Sequence, residues 1–174
     1  MTTQDRRAWE HEELAARLSR CEHSGRLDGL EIEYYVSGGL PPPHYRSDQF
    51  RCLTVDGREL IELARPKFDR GYTINYPVEK FQLPAEPETV RTVARLLREG
   101  RVFDATYPEE RRPDIADILS TEVLATEGGR QTKKVYYQKP PEPVMPLDEF
   151  VAGARKLLVT RGERGLYHLG KRID

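Results

Sequence analysis

The order of hydrophobic patterns predicts an α+β protein. It is built on a single twisted antiparallel sheet of about five strands, with helices packed mainly on one face and an extra N-terminal helix. Three observations carry this reading. Runs of period-two alternation arrive in hairpin groups; Asp56-Gly57 and Gly128-Gly129 stand between paired runs as tight-turn signals; and runs of helical spacing separate the groups, giving the order helix, three strands, helix, two strands, helix.

The first helix is expected from about Gln4 to Glu22. Leu14, Ala15, Leu18 and Cys21 fall at helical spacing, and "HSGRLDG" stops it. Trp9 lies off that stripe, so it either packs sideways on a neighbour or serves as an exposed anchor. In "LEIEYYV", Leu30, Ile32, Tyr34 and Val36 share one face while Glu31, Glu33 and Tyr35 take the other. "QFRCLTVDGRELIEL" then reads as a hairpin, because Asp56-Gly57 supplies the positive φ angles of a primed turn. The Pro-rich, aromatic stretch "ARPKFDRGYTINYPVEKFQLP" is expected to be loop, with an edge strand near Tyr72 to Tyr76.

"PAEPETVRTVARLLREG" has the clearest helical signature. Pro87 suits the first turn, Glu86 and Glu88 complement the positive end, and Val90, Val93, Ala94 and Leu97 make the buried stripe before Gly100. "DATYPEERRPDIAD" reads as a charged loop, "STEVLATEGGRQTKKVYYQ" as the second hairpin, and "KPPEPVMP" as a linker. The last helix carries Leu147, Phe150, Val151, Ala154 and Leu158 on one face. Residues 1–174 are read as one domain, with 1–25 a helical extension and 160–174 a basic tail.

Composition narrows the function classes. Lys+Arg (28) and Asp+Glu (29) nearly cancel, so a net charge of −1 creates no global field toward nucleic acid or an anionic membrane. Cys21 and Cys52 make neither a disulfide framework nor a zinc spacing. The charged start "MTTQDRRAWEHEELAARLSRC" is no signal peptide, and no window approaches a membrane helix, so a soluble cytoplasmic protein is expected.

No phosphate-cradling, dinucleotide, nucleophile-elbow or H-E-x-x-H motif occurs. Cys21 and His23 would need two further ligands to close a zinc site, so no metal and no cofactor are expected. Glu31 and Glu33 share a strand face and Glu109 and Glu110 a loop. Paired carboxylates do acid–base work only when burial drives their pKa values apart, and the wet side of a strand accounts for Glu31 and Glu33. His44, Ser47 and Asp48 are too crowded for a triad. Lysines among tyrosines in "QTKKVYYQKPP" guard an edge strand as readily as they bind nucleic acid, and a flexible terminus explains "RGERGLYHLGKRID". No catalytic residue is assigned.

One stretch does look preorganised. In "YYVSGGLPPPHYRSDQF", Gly38 and Gly39 free the chain from the strand, and Pro41, Pro42 and Pro43 impose extended geometry. His44, Tyr45, Arg46 and Asp48 follow on a stiff arm whose ordering costs little. Gly38, Gly39, Pro42, His44, Tyr45, Arg46 and Asp48 are the candidate binding residues, with Tyr45 and Arg46 as anchors.

"LEIEYYVSGGL", "EGRVFD", "TEVLATEGGRQTKKVYY" and "PLDEFVAGARKLL" together resemble emfourin, a family of small bacterial proteins whose known members inhibit thermolysin-like metalloproteases. The resemblance runs from about Leu30 to Leu158, and this chain adds an N-terminal helix, the triple-proline loop and the basic tail. It equally resembles small uncharacterised bacterial proteins with a "GGLPPP" loop. The expected function is a non-enzymatic module that binds another protein through this loop, a protease inhibitor being one form of it. The alternatives are a small enzyme whose site assembles only in three dimensions, marked by a pocket containing Glu31, Glu33 or His44, and a nucleic-acid-binding accessory protein using the basic tail.

Overall fold

The computed structural model describes residues 7–37, 48–67, 75–104, 119–137 and 139–174. Their architecture is α+β, but the sheet has eight strands where the sequence predicts about five. In chain order the elements are α1 (His11–Ser24), β1 (Glu31–Ser37), β2 (Gln49–Val55), β3 (Arg58–Pro66), β4 (Val78–Pro84) and α2 (Pro87–Glu99). They continue with β5 (Ser120–Glu127), β6 (Arg130–Tyr137), α3 (Met145–Arg161), β7 (Glu163–His168) and β8 (Lys171–Arg172). The strands lie in the order β6-β5-β1-β2-β3-β4-β7-β8, and every neighbouring pair is antiparallel.

Turn chemistry sets this register. Asp56 and Gly57 both adopt positive φ (50° and 75°), the I′ pattern, and lock β2 against β3 so that Arg51 faces Glu62. At Gly128-Gly129 only the first glycine has positive φ (56°), the II′ pattern, and Leu124 then faces Lys133.

Three strands correct the sequence reading. The expected edge strand near Tyr72 to Tyr76 is displaced: residues 72–74 lie outside the described residues, and the strand is Val78–Pro84. It is no edge either, since β4 lies between β3 and β7. Its flanking prolines, Pro77 and Pro84, mimic a loop signature, yet neither interrupts the alternation from Glu79 to Leu83. The basic tail is likewise not a free terminus, because residues 163–172 form the β7–β8 hairpin. Its turn, Leu169-Gly170, has positive φ at both residues (50° and 77°). A leucine in the first of those positions is unfavourable, so the hairpin lacks the usual Asn-Gly or Asp-Gly signature.

The first helix begins at His11, later than expected. Trp9 N–H donates to Thr132 Oγ1 (3.0 Å), Gln131 N–H donates to the Arg7 carbonyl (3.0 Å), and Arg7 bridges to Arg130. The β6 edge therefore holds residues 7–9 extended. At the other end Gly25 takes the left-handed conformation (φ 72°) and donates to the Cys21 carbonyl. A Cβ there would meet the Cβ of Pro87 at 2.8 Å, so the same glycine lets α1 approach the start of α2. Gly100 works differently from the cap that the sequence suggests. Its φ is −73°, and its small size admits the Pro143 carbonyl, which would lie 2.8 Å from any Cβ; Arg101 takes the positive φ instead.

Alternation sorts the sheet into two faces. Tyr34, Phe50, Leu63, Phe81 and Val123 stand in register on one of them. They join Leu14 and Leu18 of α1, Val90 and Leu97 of α2, and Leu147, Val151 and Leu158 of α3 in a single core. Among the described residues none of α1, α2 and α3 packs on the opposite face, where Glu31, Glu33, Arg51, Glu62 and Gln82 gather.

The β4–β7 seam carries an ion pair on the helix side. Arg164 Nε donates to Glu79 Oε2 (2.5 Å), and Lys67 Nζ lies 3.4 Å from Glu79 Oε1. Burial works against the Glu79 charge, but these cations outweigh it and hold the carboxyl below its usual range. A depressed carboxyl pKa stabilises the fold above the unfolded value, and that stability is lost as pH falls through the folded value. Native protein should therefore exceed Arg164→Met in stability by about 1 kcal/mol at pH 6, the modest figure suiting a half-exposed arginine. The gap should narrow as pH falls below the ordinary carboxylate range. Urea melts across that range read it, and a gap independent of pH would show that the pair contributes by packing alone.

Candidate functional site

This second face gathers its charges around Arg51. Arg51 Nε donates to Glu31 Oε1 (2.9 Å), its Nη2 also contacts that oxygen, and Nη1 donates to Glu62 Oε1 (3.0 Å). Glu33 Oε1 lies 3.4 Å from Arg51 Nε. The far oxygen of Glu62 accepts from Gln82 Nε2 (2.6 Å) and faces Lys80 Nζ at 3.9 Å. Three carboxylates from β1 and β3 thus converge on one guanidinium from β2.

Burial gives the cluster its character. The Glu62 side chain is 2% exposed, against 17% for Glu33 and 27% for Glu31. Desolvation opposes charge on Arg51, but the hydrogen bond it donates to Glu31 and the fields of Glu31, Glu62 and Glu33 hold its pKa above the ordinary value. Glu62 is therefore the fixed base of the cluster, and Glu31 and Glu33 are its solvent-facing arms.

Beside those arms lies a recess of about 410 Å³, lined by Glu31, Glu33, Tyr35, Arg51, Gln131 and Lys133 among others. Lys133 Nζ stands 3.2 Å from Glu122 Oε1, and Glu122 Oε2 accepts from Ser37 Oγ (2.7 Å). Gln131 Nε2 donates to Thr126 Oγ1 (3.0 Å). The recess offers carboxylate oxygens to hydroxyl or amine donors and, across the β6 side, an ammonium to an anionic group.

The sequence names only two residues of this constellation, Glu31 and Glu33, and assigns both to the solvated side of a strand. In the fold they are ion partners of Arg51 at a recess. Arg51, Glu62, Lys80, Gln82 and Lys133 are additions from the structure. The Asp56-Gly57 turn is the signal that was present for the first two, since a two-residue hairpin fixes which β3 residue faces Arg51.

Of the predicted loop residues, Gly38, Gly39, Pro42, His44, Tyr45 and Arg46 lie outside the described residues. Asp48 is described and is engaged in the fold: its Oδ2 accepts from Arg65 Nε (2.9 Å) and its carbonyl accepts from Arg155 Nη2 (2.8 Å). Among the described residues no group of His, Cys, Asp and Glu side chains could hold a metal ion. Nor is any described helix long and apolar enough to cross a membrane.

No protein-family model matches the chain. It is 29% identical over 145 residues to the tRNA(Met) cytidine acetate ligase of Bacillus licheniformis. That match covers 81% of this chain and 33% of the ligase, so the chain spans about a third of the length of the relative. The relative is an enzyme, and this similarity overturns the expectation of a non-enzymatic, inhibitor-like binding module. Neither comparison lends support to the emfourin resemblance. The chain is similar over most of its length to part of a ligase acting on a transfer RNA.

Proposed function

We propose that the chain is an enzyme, or the substrate-holding part of one, whose site is the recess beside Glu31, Glu33 and Arg51. The observation that carries the proposal is the convergence of Glu31, Glu33 and Glu62 on Arg51 next to that recess, on the face opposite the described helices. The substrate class that fits is a nucleoside. Its ribose hydroxyls and exocyclic amine are donors for the carboxylates, and Lys133 is placed for an adjoining phosphate. Similarity to a protein named for cytidine in a transfer RNA supports the same class.

In this reading Glu33 is the proton acceptor. It lines the recess, and its side chain is more exposed than that of Glu62. Arg51 holds the carboxylates in place, acting as a positioning residue. We place the chain in the cytoplasm, where the buried thiols of Cys21 and Cys52 need no oxidising conditions.

Calorimetric titration with cytidine and with a short cytidine-containing RNA tests the proposal. Saturable binding is expected, weakened about ten-fold by Glu33→Gln, the loss of one charge-assisted hydrogen bond. Lys133→Ala should weaken the RNA more than the free nucleoside. Absence of saturable heat with both ligands, or equal affinity in Glu33→Gln, would overturn it.

A further inference from the structure

The sheet ends on β6, and only the first part of that edge is occupied. Arg7 bridges to Arg130 in parallel fashion, and the Gln131 N–H donates to the Arg7 carbonyl (3.0 Å). The backbone groups of Gln131 therefore point away from β5. Alternation along the strand turns those of Lys133, Val135 and Tyr137 outward as well. Among the described residues no backbone group meets them.

An open edge of this kind is a template for another strand, and lysines commonly defend it. Lys133 and Lys134 defend this one against every antiparallel self-pairing except one. In such a pairing outward residues meet outward residues about a two-fold axis. An axis at or before Lys134 brings the second copy onto Gln131, where Arg7 already sits. At Lys133 or Lys134 it also sets that lysine against itself. An axis at Tyr136 or Tyr137 leaves Lys133 opposite residues beyond the end of the strand. An axis at Val135 has none of these faults. Lys133 then faces Tyr137 of the second copy, Lys134 faces Tyr136, and Val135 faces its own equivalent. All three outward residues pair, which gives about six backbone hydrogen bonds. Each lysine stem lies along a tyrosine ring instead of meeting a like charge.

We propose that β6 pairs with β6 of a second copy, antiparallel about Val135, to form a dimer with one continuous sheet. Lys133 lines the recess beside Glu33, so this register also brings Tyr137 of the second copy to the rim of that recess. The pairing itself does not depend on the nucleoside reading, because it is read from mass and cross-linking without any ligand.

Sedimentation velocity of the whole chain tests it. A monomer–dimer equilibrium with a Kd of about 10 μM is expected, the scale of so small an interface. Tyr137→Lys sets a like charge opposite Lys133 at two symmetry-related places and should weaken association about ten-fold. Tyr137→Glu, at the same position, sets an opposite charge there and should associate about ten-fold more tightly than Tyr137→Lys. Val135→Cys should form a disulfide-linked dimer under mild oxidation, since this axis sets residue 135 against itself and both native cysteines are buried. Lys133→Cys should not. A chain that sediments as a monomer up to about 100 μM would overturn the proposal. So would equal association in Tyr137→Lys and Tyr137→Glu, or cross-linking at residue 133 as complete as at residue 135.

Discussion

Replacing Arg51 by methionine is expected to lower the free energy of unfolding by about 3 kcal/mol, the cost of leaving a buried carboxylate without its ion partner. Glu62 suffers most. Its side chain is 2% exposed, and without Arg51 its neighbours are Gln82 and a Lys80 ammonium 3.9 Å away. Glu31 and Glu33 are partly exposed and recover hydration, so they add less. A second substitution tests the cause: Arg51→Met with Glu62→Met removes the stranded charge and should restore most of the loss, since an apolar pair often replaces a buried ion pair without penalty. Urea denaturation reads both. If the single variant keeps native stability, or the double variant is weaker still, the cluster is not the buried electrostatic unit described here.

Ending the chain after Arg161 should cost still more, about 4–6 kcal/mol, and leave a protein that melts without cooperativity. The truncation removes β7, which pairs with β4 from Val78↔Tyr167 to Gln82↔Glu163. Lost with it are backbone hydrogen bonds worth about 1 kcal/mol each and the burial of Leu166, worth about 2 kcal/mol. Glu79 is left with Lys67 alone once Arg164 is gone, and the β4 edge is laid open to pairing between molecules. Set against a typical total stability of about 5–15 kcal/mol, few domains survive such a loss. Circular dichroism melts and light scattering check it; a truncated chain with an unchanged melting midpoint would return residues 163–172 to the status of a dispensable tail.

These two regions also mark where the sequence was legible and where it was not. Strands β1, β2, β3, β5 and β6 announce themselves because alternation and turn signals coincide, as at Val55-Asp56-Gly57-Arg58. Helix α2 does the same through Pro87 and the buried Val90, Val93, Ala94 and Leu97. The last hairpin hides because Leu169 occupies a left-handed position that propensity reserves for Asn, Asp or Gly; pairing with β4 supplies the energy that the turn lacks. Val78–Pro84 hides behind its prolines. The cluster around Arg51 was only half visible: Glu31 and Glu33 alternate like any solvated strand face. Their meaning comes from Arg51 and Glu62, placed across two strands by register rather than by spacing in the chain. The most distinctive composition belongs instead to the Gly38–Arg46 segment, which lies outside the described residues.

Nucleoside binding beside Arg51 is what we propose for this face. Mapping amide chemical shifts during a titration with cytidine tests it most directly. Saturable shifts concentrated at Glu31, Glu33 and Arg51, extending to Gln131 and Lys133 on β6, are the predicted result. A protein whose amides on this face stay unmoved while cytidine reaches saturating concentrations elsewhere, or produces no shifts at all, would contradict it.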